Sequence, residues 1–143
     1  MDEIQIVPES DFGRKRIGVL CFSGLESFIK PIVTHFEDDY AVRTCYSNSL
    51  PELGSVVDWA DLVWIEWCNE LAIELTNKLH VLEQKKVIIR LHSYEALSGY
   101  VRTVNWNVVD HLVFVAEHIR EIVLRSFPNL KNIVPITVVH NGV

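Results

Sequence analysis

Residues 87–97 read VIIRLHSYEAL (Val87–Leu97), and this stretch decides the fold. Its first half is short, β-branched and continuously apolar. A strand with one face in water alternates apolar and polar residues, whereas an unbroken apolar run marks a strand covered on both faces, as in a parallel sheet. The second half turns abruptly to arginine, histidine, serine, tyrosine and glutamate, so a buried strand opens into a polar cluster.

The same pattern recurs on both sides of it. RIGVLCF (16–22), YAVRTCY (40–46), DLVWIEW (61–67), KVIIRLH (86–92), HLVFVAE (111–117) and ITVVHN (136–141) read as strands. Apolar residues at helical spacing lie between some of them. Leu25, Phe28, Ile29, Ile32, Val33 and Phe36 form one stripe, Leu71, Leu75, Leu79 and Leu82 a second, and Ile119, Ile122, Val123 and Phe127 a third. Pro31 falls inside the first stripe, so that helix either kinks there or begins one turn earlier than its stripe implies. Strand and helix in alternation predict an α/β, Rossmann-like, doubly wound and mostly parallel sheet of about six strands, with helices on both faces. Residues 1–15 read as an N-terminal extension and 16–143 as a single domain.

Composition narrows the function. Of 143 residues 49% are hydrophobic, enough for one core without metal or disulfides. Cys21, Cys45 and Cys68 are odd in number and lack ligand spacing, which reads as buried free thiols in a reducing compartment. The net charge of -6 argues against nucleic acid as a partner, and Arg14-Lys15-Arg16 reads as a solvated edge. Neither a signal-peptide-like segment nor a run of membrane-spanning length occurs, so the cytoplasm is the expected location.

Open α/β sheets bind ligands beyond the carboxyl ends of their strands. Those ends carry Ser23 and Gly24 after the first strand, Glu66 and Trp67 after the third, and Arg90, His92, Ser93, Tyr94 and Glu95 after the fourth. Glu117 and His118 follow the fifth, Asn141 and Gly142 the sixth. The stretch CFSGLESF has one glycine where a dinucleotide fingerprint has three, which removes most support for an NAD enzyme. Gly24 still lets backbone amides approach an anion or hydroxyl. His92 can accept from one hydroxyl while donating elsewhere. Arg90 interrupts an apolar strand and needs a carboxylate, for which Glu66 is the candidate. Ser93 is placed to cap a helix, with Glu95 in its first turn. Trp67 stacks either on a sugar ring or on the core beneath it. His35 and His80 fall in helices, His111 at a strand start, His118 at the surface and His140 within the last strand. The hydrolase pattern G-x-S-x-G is missing.

The closing ITVVHNGV resembles the hinge of retaining glycosyltransferases with the GT-B fold, where such a segment leads from the acceptor-binding into the donor-binding domain. DLVWIEW, VIIRLHSYE and VDHLVFVAEHIREIV match the family's order, so the resemblance covers about residues 15 to 143. It implies transfer of a sugar from a nucleotide-sugar donor to a glycan or other hydroxyl acceptor, with no cofactor beyond that donor substrate. It also implies that a C-terminal domain, in the same or another chain, grips the donor's diphosphate, using a pair of glutamates that lie past Val143. A fusion or a truncation is therefore expected rather than a complete small protein. By this resemblance the Ser23-Gly24 loop lines the cleft and His92 faces the transferred sugar. Glu66, Trp67, Arg90, Tyr94, Glu95, Asn141 and Gly142 complete the expected substrate-binding edge. Ala116 stands where the family has a serine, so no catalytic role is given to that loop. Two alternatives remain: a stand-alone Rossmann-like binding or regulatory module or subunit, and half of a sugar-nucleotide epimerase. A receiver domain is argued against, because no acidic pair follows the first strand and Glu66-Trp67 ends the third.

Overall fold

A computed structural model describes residues 13–140. Its centre is one six-stranded sheet, every pairing parallel, in the order β2-β1-β3-β4-β5-β6. The strands are β1 (Arg16–Cys21), β2 (Ala41–Tyr46), β3 (Leu62–Glu66), β4 (Lys86–Leu91), β5 (His111–Phe114) and β6 (Ile136–Val138). The helices are α1 (Lys30–Phe36), α2 (Leu50–Trp59), α3 (Glu70–Lys78), α4 (Tyr100–Thr103), α5 (Glu117–Ser126) and α6 (Leu130–Ile133). This is the expected α/β architecture.

Right-handed crossovers distribute the helices. The chain moves outward from β1 to β2 and then returns past β1 to β3, so α1 and α2 pack on opposite faces. On one face Ile29 and Val33 meet Ile17 and Val19, with Phe36 and Trp64 at the margin. On the other, Leu53, Val57, Leu71, Leu75, Ile119 and Val123 close over Leu20, Ile65, Ile89, Leu91 and Phe114. That second face holds most of the core. Gly18 makes it possible for α2 to approach β1: a Cβ there would stand 2.8 Å from Val56 Cγ1 and 3.1 Å from Ala60 Cβ.

Several expectations are corrected. The first helix neither kinks at Pro31 nor begins early. A 3₁₀ turn covers Glu26–Phe28 and α1 starts only at Lys30, with Pro31 in its first turn, where a missing N–H costs no helical bond. Helix α2, carried by Leu53 and Val57, was not among the expected helices. The stripe of Leu71, Leu75, Leu79 and Leu82 is split, since α3 ends at Lys78 and Leu82 belongs to the 3₁₀ segment His80–Gln84. Strand β6 ends at Val138, so His140 lies past it. Asn141, Gly142 and residues 1–12 of the N-terminal extension lie outside the described residues. Of the described helices, none is long and apolar enough to cross a membrane.

Candidate functional site

Strand order reverses between β1 and β3, because the chain leaves β1 in one direction for β2 and in the other for β3. The loops after these two strands diverge to opposite faces there, the position at which open α/β sheets bind ligands. The polar cluster read from the sequence sits at this position.

Register brings its members together. Glu66 is paired with Arg90 across β3 and β4, so both side chains leave the same face of the sheet. Glu66 is wholly buried and Arg90 and His92 nearly so. The Glu66 carboxylate accepts from His92 Nε2 at 3.0 Å and faces Arg90 Nη1 at 3.4 Å, so the first is the hydrogen bond and the second chiefly an ion pair. Burial pulls the Arg90 guanidinium below its ordinary value and the charge of Glu66 acts against that. Removing one partner of such a buried pair typically costs about 3–5 kcal/mol. Because a carboxylate only accepts, His92 Nε2 is the donor in this bond.

Trp67 turns the chain out of β3. Its backbone N–H still bonds Arg90 O at 2.9 Å, but its φ is +79°, a region that a bulky side chain avoids. The indole stacks on the His92 ring at 3.8 Å between centroids. Indole Nε1 donates to Leu25 O at 3.0 Å, tying the loop after β1 to the end of β3. In that loop Gly24 has φ +93°, and its N–H donates to Glu26 Oε2 at 2.6 Å. Ser23 beside it is exposed.

Glu95 stands in the first turn of the 3₁₀ segment Tyr94–Leu97, as expected, and also acts as a strut. Its Oε1 accepts from the backbone N–H groups of Cys68 at 2.8 Å and His92 at 3.2 Å, locking the end of β3 to the end of β4. Its Oε2 is buried without a hydrogen-bond partner. Desolvation raises its carboxyl above the ordinary range, against those backbone bonds. Ser93 makes no capping bond to the 3₁₀ segment Tyr94–Leu97, contrary to expectation. Asn69 instead caps α3 through Leu71 N and donates to Tyr94 Oη at 3.0 Å.

The structure thus brings together Glu66, Trp67, Arg90, His92, Tyr94 and Glu95, with Ser23 and Gly24 on the adjoining loop. Ala116 opens α5 without a side-chain cap, and Glu117 pairs with Arg120 on the surface. Burial, then Glu66 and Glu26, lifts the Cys21 thiol to about 12, and burial lifts Cys68 higher still, so neither is a nucleophile. No three His, Cys, Asp or Glu side chains group as metal ligands among the described residues.

Phe28 escaped the sequence reading. It belongs to the first apolar stripe, yet it is 51% exposed and lies against both Trp67 and His92, at 5.9 and 5.4 Å between centroids. Pro31 was the available signal, since a helix that starts around a proline leaves Phe28 outside its buried stripe. Trp67 itself is 8% exposed, and its ring stacks on His92. Compared with protein-family models, curated proteins and solved structures, the chain finds no match in any of the three.

Proposed function

We propose that this domain is the acceptor-side half of a retaining glycosyltransferase, completed by a donor-binding domain in the same or another chain. The observation that carries the reading is the buried Glu66–His92 pair at the switch point, where the loop after β1 and the end of β4 meet. In the proposed reaction the acceptor oxygen bonds to the anomeric carbon, and the bond to the diphosphate breaks with its electron pair. The hydroxyl proton leaves with the departing diphosphate. His92 contributes Nδ1 as an acceptor for a hydroxyl of the transferred sugar. Glu66 positions His92 by holding Nε2–H, and Arg90 balances the carboxylate's charge.

The donor's phosphates belong to the other domain on this reading. The Gly24 N–H is already taken by Glu26, and a net charge of -6 offers a diphosphate little attraction. The same observation favours, as a second reading, a binding module or subunit without transfer chemistry of its own.

Two measurements test this. NMR titration of the 143-residue chain with uridine, guanosine and adenosine diphosphate sugars should give weak binding centred on the Gly24 loop and His92, with no turnover. Tight donor binding or turnover by this chain alone overturns the half-enzyme reading. In the chain joined to its donor-binding domain, His92→Ala should lower the turnover of the folded protein roughly a hundredfold or more, far beyond what the stability lost with the Glu66 bond accounts for. Unchanged turnover leaves His92 a structural residue and favours the module.

A further inference from the structure

The crossovers cover the two faces of the sheet unequally. Helices α2, α3, α5 and α6 send their buried residues into the larger core, and among the described helices α1 alone packs on the other face. That helix has seven residues and ends at Phe36. Beyond it, toward the amino-terminal end of the strands, Leu62 and Trp64 of β3 and Ile88 of β4 are only half-buried. A cleft of about 470 Å³ opens there, walled by Ile17, Phe36, Leu62, Trp64 and Ile88. Its size and apolar lining are those of a small-molecule site. Phe36 stands edge-on to both Trp64 and Tyr40, at 5.6 and 6.3 Å between ring centroids, which fixes that wall.

Register sets the charge at its mouth. Ile17 pairs with Leu62 and Leu62 with Lys86, so these three side chains leave one face at one level. Lys15, two residues before Ile17, lines the cleft together with Lys86. Both lysines are exposed, and neither ammonium makes a hydrogen bond or salt bridge among the described residues. Asp61 is the one carboxylate in the lining, and Arg16 occupies it. Its Oδ2 accepts from the Arg16 backbone N–H at 3.0 Å and its Oδ1 faces Nη2 at 3.3 Å. Trp64 adds an unmet donor to the wall. Trp67 and Trp106 donate to backbone oxygens, whereas the Trp64 indole N–H is buried without an acceptor. Two uncommitted cations therefore stand at the mouth of an apolar cleft, in a protein whose net charge is -6. A cationic ligand is repelled there, and a plain hydrocarbon gains nothing from the lysines. An apolar body carrying one carboxylate uses both features.

We infer that the cleft binds a small amphipathic carboxylate, its apolar body between Phe36, Trp64 and Ile88 and its anionic head at Lys15 and Lys86. The cleft lies at the end of the sheet opposite to Glu66 and His92, and the inference stands apart from the transferase reading.

The test is NMR titration of the full 143-residue chain with octanoate and 1-naphthoate, against octanamide, 1-naphthamide and octylammonium. At least one carboxylate should shift the Trp64 indole and Ile88 methyl signals, with its amide bound roughly three- to tenfold more weakly and octylammonium weaker still. Response to octanoate alone names the body as a chain, and response to naphthoate alone names it as a ring. Lys15→Glu and Lys86→Glu should each weaken carboxylate binding roughly three- to tenfold and leave amide binding unchanged. Both replace exposed side chains, and an unchanged spectrum elsewhere verifies their fold. Carboxylates that shift neither signal, amides that bind as tightly as the acids, or binding that survives both charge reversals overturn the proposal. So do nuclear Overhauser contacts from Trp64 to Ile4, Ile6 or Val7, which give the cleft to the chain's own amino-terminal segment. Shifts that grow with protein concentration alone give it to a second copy and overturn the proposal as well.

Discussion

Trp67 is the one non-glycine among the described residues with a positive φ. Its φ of +79° belongs to a region where a non-glycine residue loses roughly 1–2 kcal/mol. The conformation persists because the backbone N–H is held by Arg90 O and the indole by Leu25 O and His92. A consequence separates backbone from side chain. Glycine ordinarily destabilises relative to alanine, but at this position Trp67→Gly should be more stable than Trp67→Ala by about 1 kcal/mol, because only glycine adopts that φ freely. Urea denaturation of the two variants checks the order, and alanine ahead of glycine would mean that the turn relaxes. Individual residues were legible when their chemistry could not be satisfied locally. A lone arginine in an apolar strand demanded a carboxylate, and Glu66 supplies it. The strut role of Glu95 was not legible, because its bonds to Cys68 N and His92 N depend on how two strand ends meet and leave no local trace.

Elements were legible in proportion to how far their burial shows as a pattern. The inner strands β1, β3, β4 and β5 stand out because they are largely buried in mostly apolar runs. The edge strands β2 and β6 are only partly buried, and every strand except β2 closes a residue or more before its run does. Helix α2 was missed because Gly54 lowers its propensity and only Leu53 and Val57 are buried, while Pro51 sits harmlessly in its first turn. Tertiary packing makes it a helix, and the contact that secures it is the close approach to β1 at Gly18. Gly18→Ala should therefore cost roughly 1–3 kcal/mol, since the new methyl meets Val56 Cγ1 at 2.8 Å and neither the strand nor α2 can retreat without opening the core. Gly99, beside which a Cβ would meet nothing within 4 Å, is the control and should tolerate alanine far better. Thermal melts of both variants decide it: equal losses would show that α2 slides away from β1 without penalty.

For the whole molecule, stability should depend on pH through the buried Glu95. Its carboxyl is raised above its ordinary value of 4.5 by desolvation, so the folded state holds the proton more tightly than the unfolded chain does. That contribution is fully present below pH 4.5 and is lost as pH rises through the raised folded-state value. Glu95→Gln removes this titration, so its melting temperature should change less than the parent's as pH rises from 4.5 toward neutrality. Parallel melting curves for the two would assign the dependence to other groups. The topology has a further consequence, in mechanics. Residue 13 lies three residues before β1, the second strand from one edge of the sheet, and residue 140 lies beyond the end of β6 at the opposite edge. Tension between these points crosses the sheet obliquely, and its component along the strands loads their ladders in shear. The seam between β5 and β6 is only three residue pairs long, against six between β1 and β2. Under load β6 should shear away first, as a mechanical fuse, while the five strands behind it keep Glu66 and His92 in place.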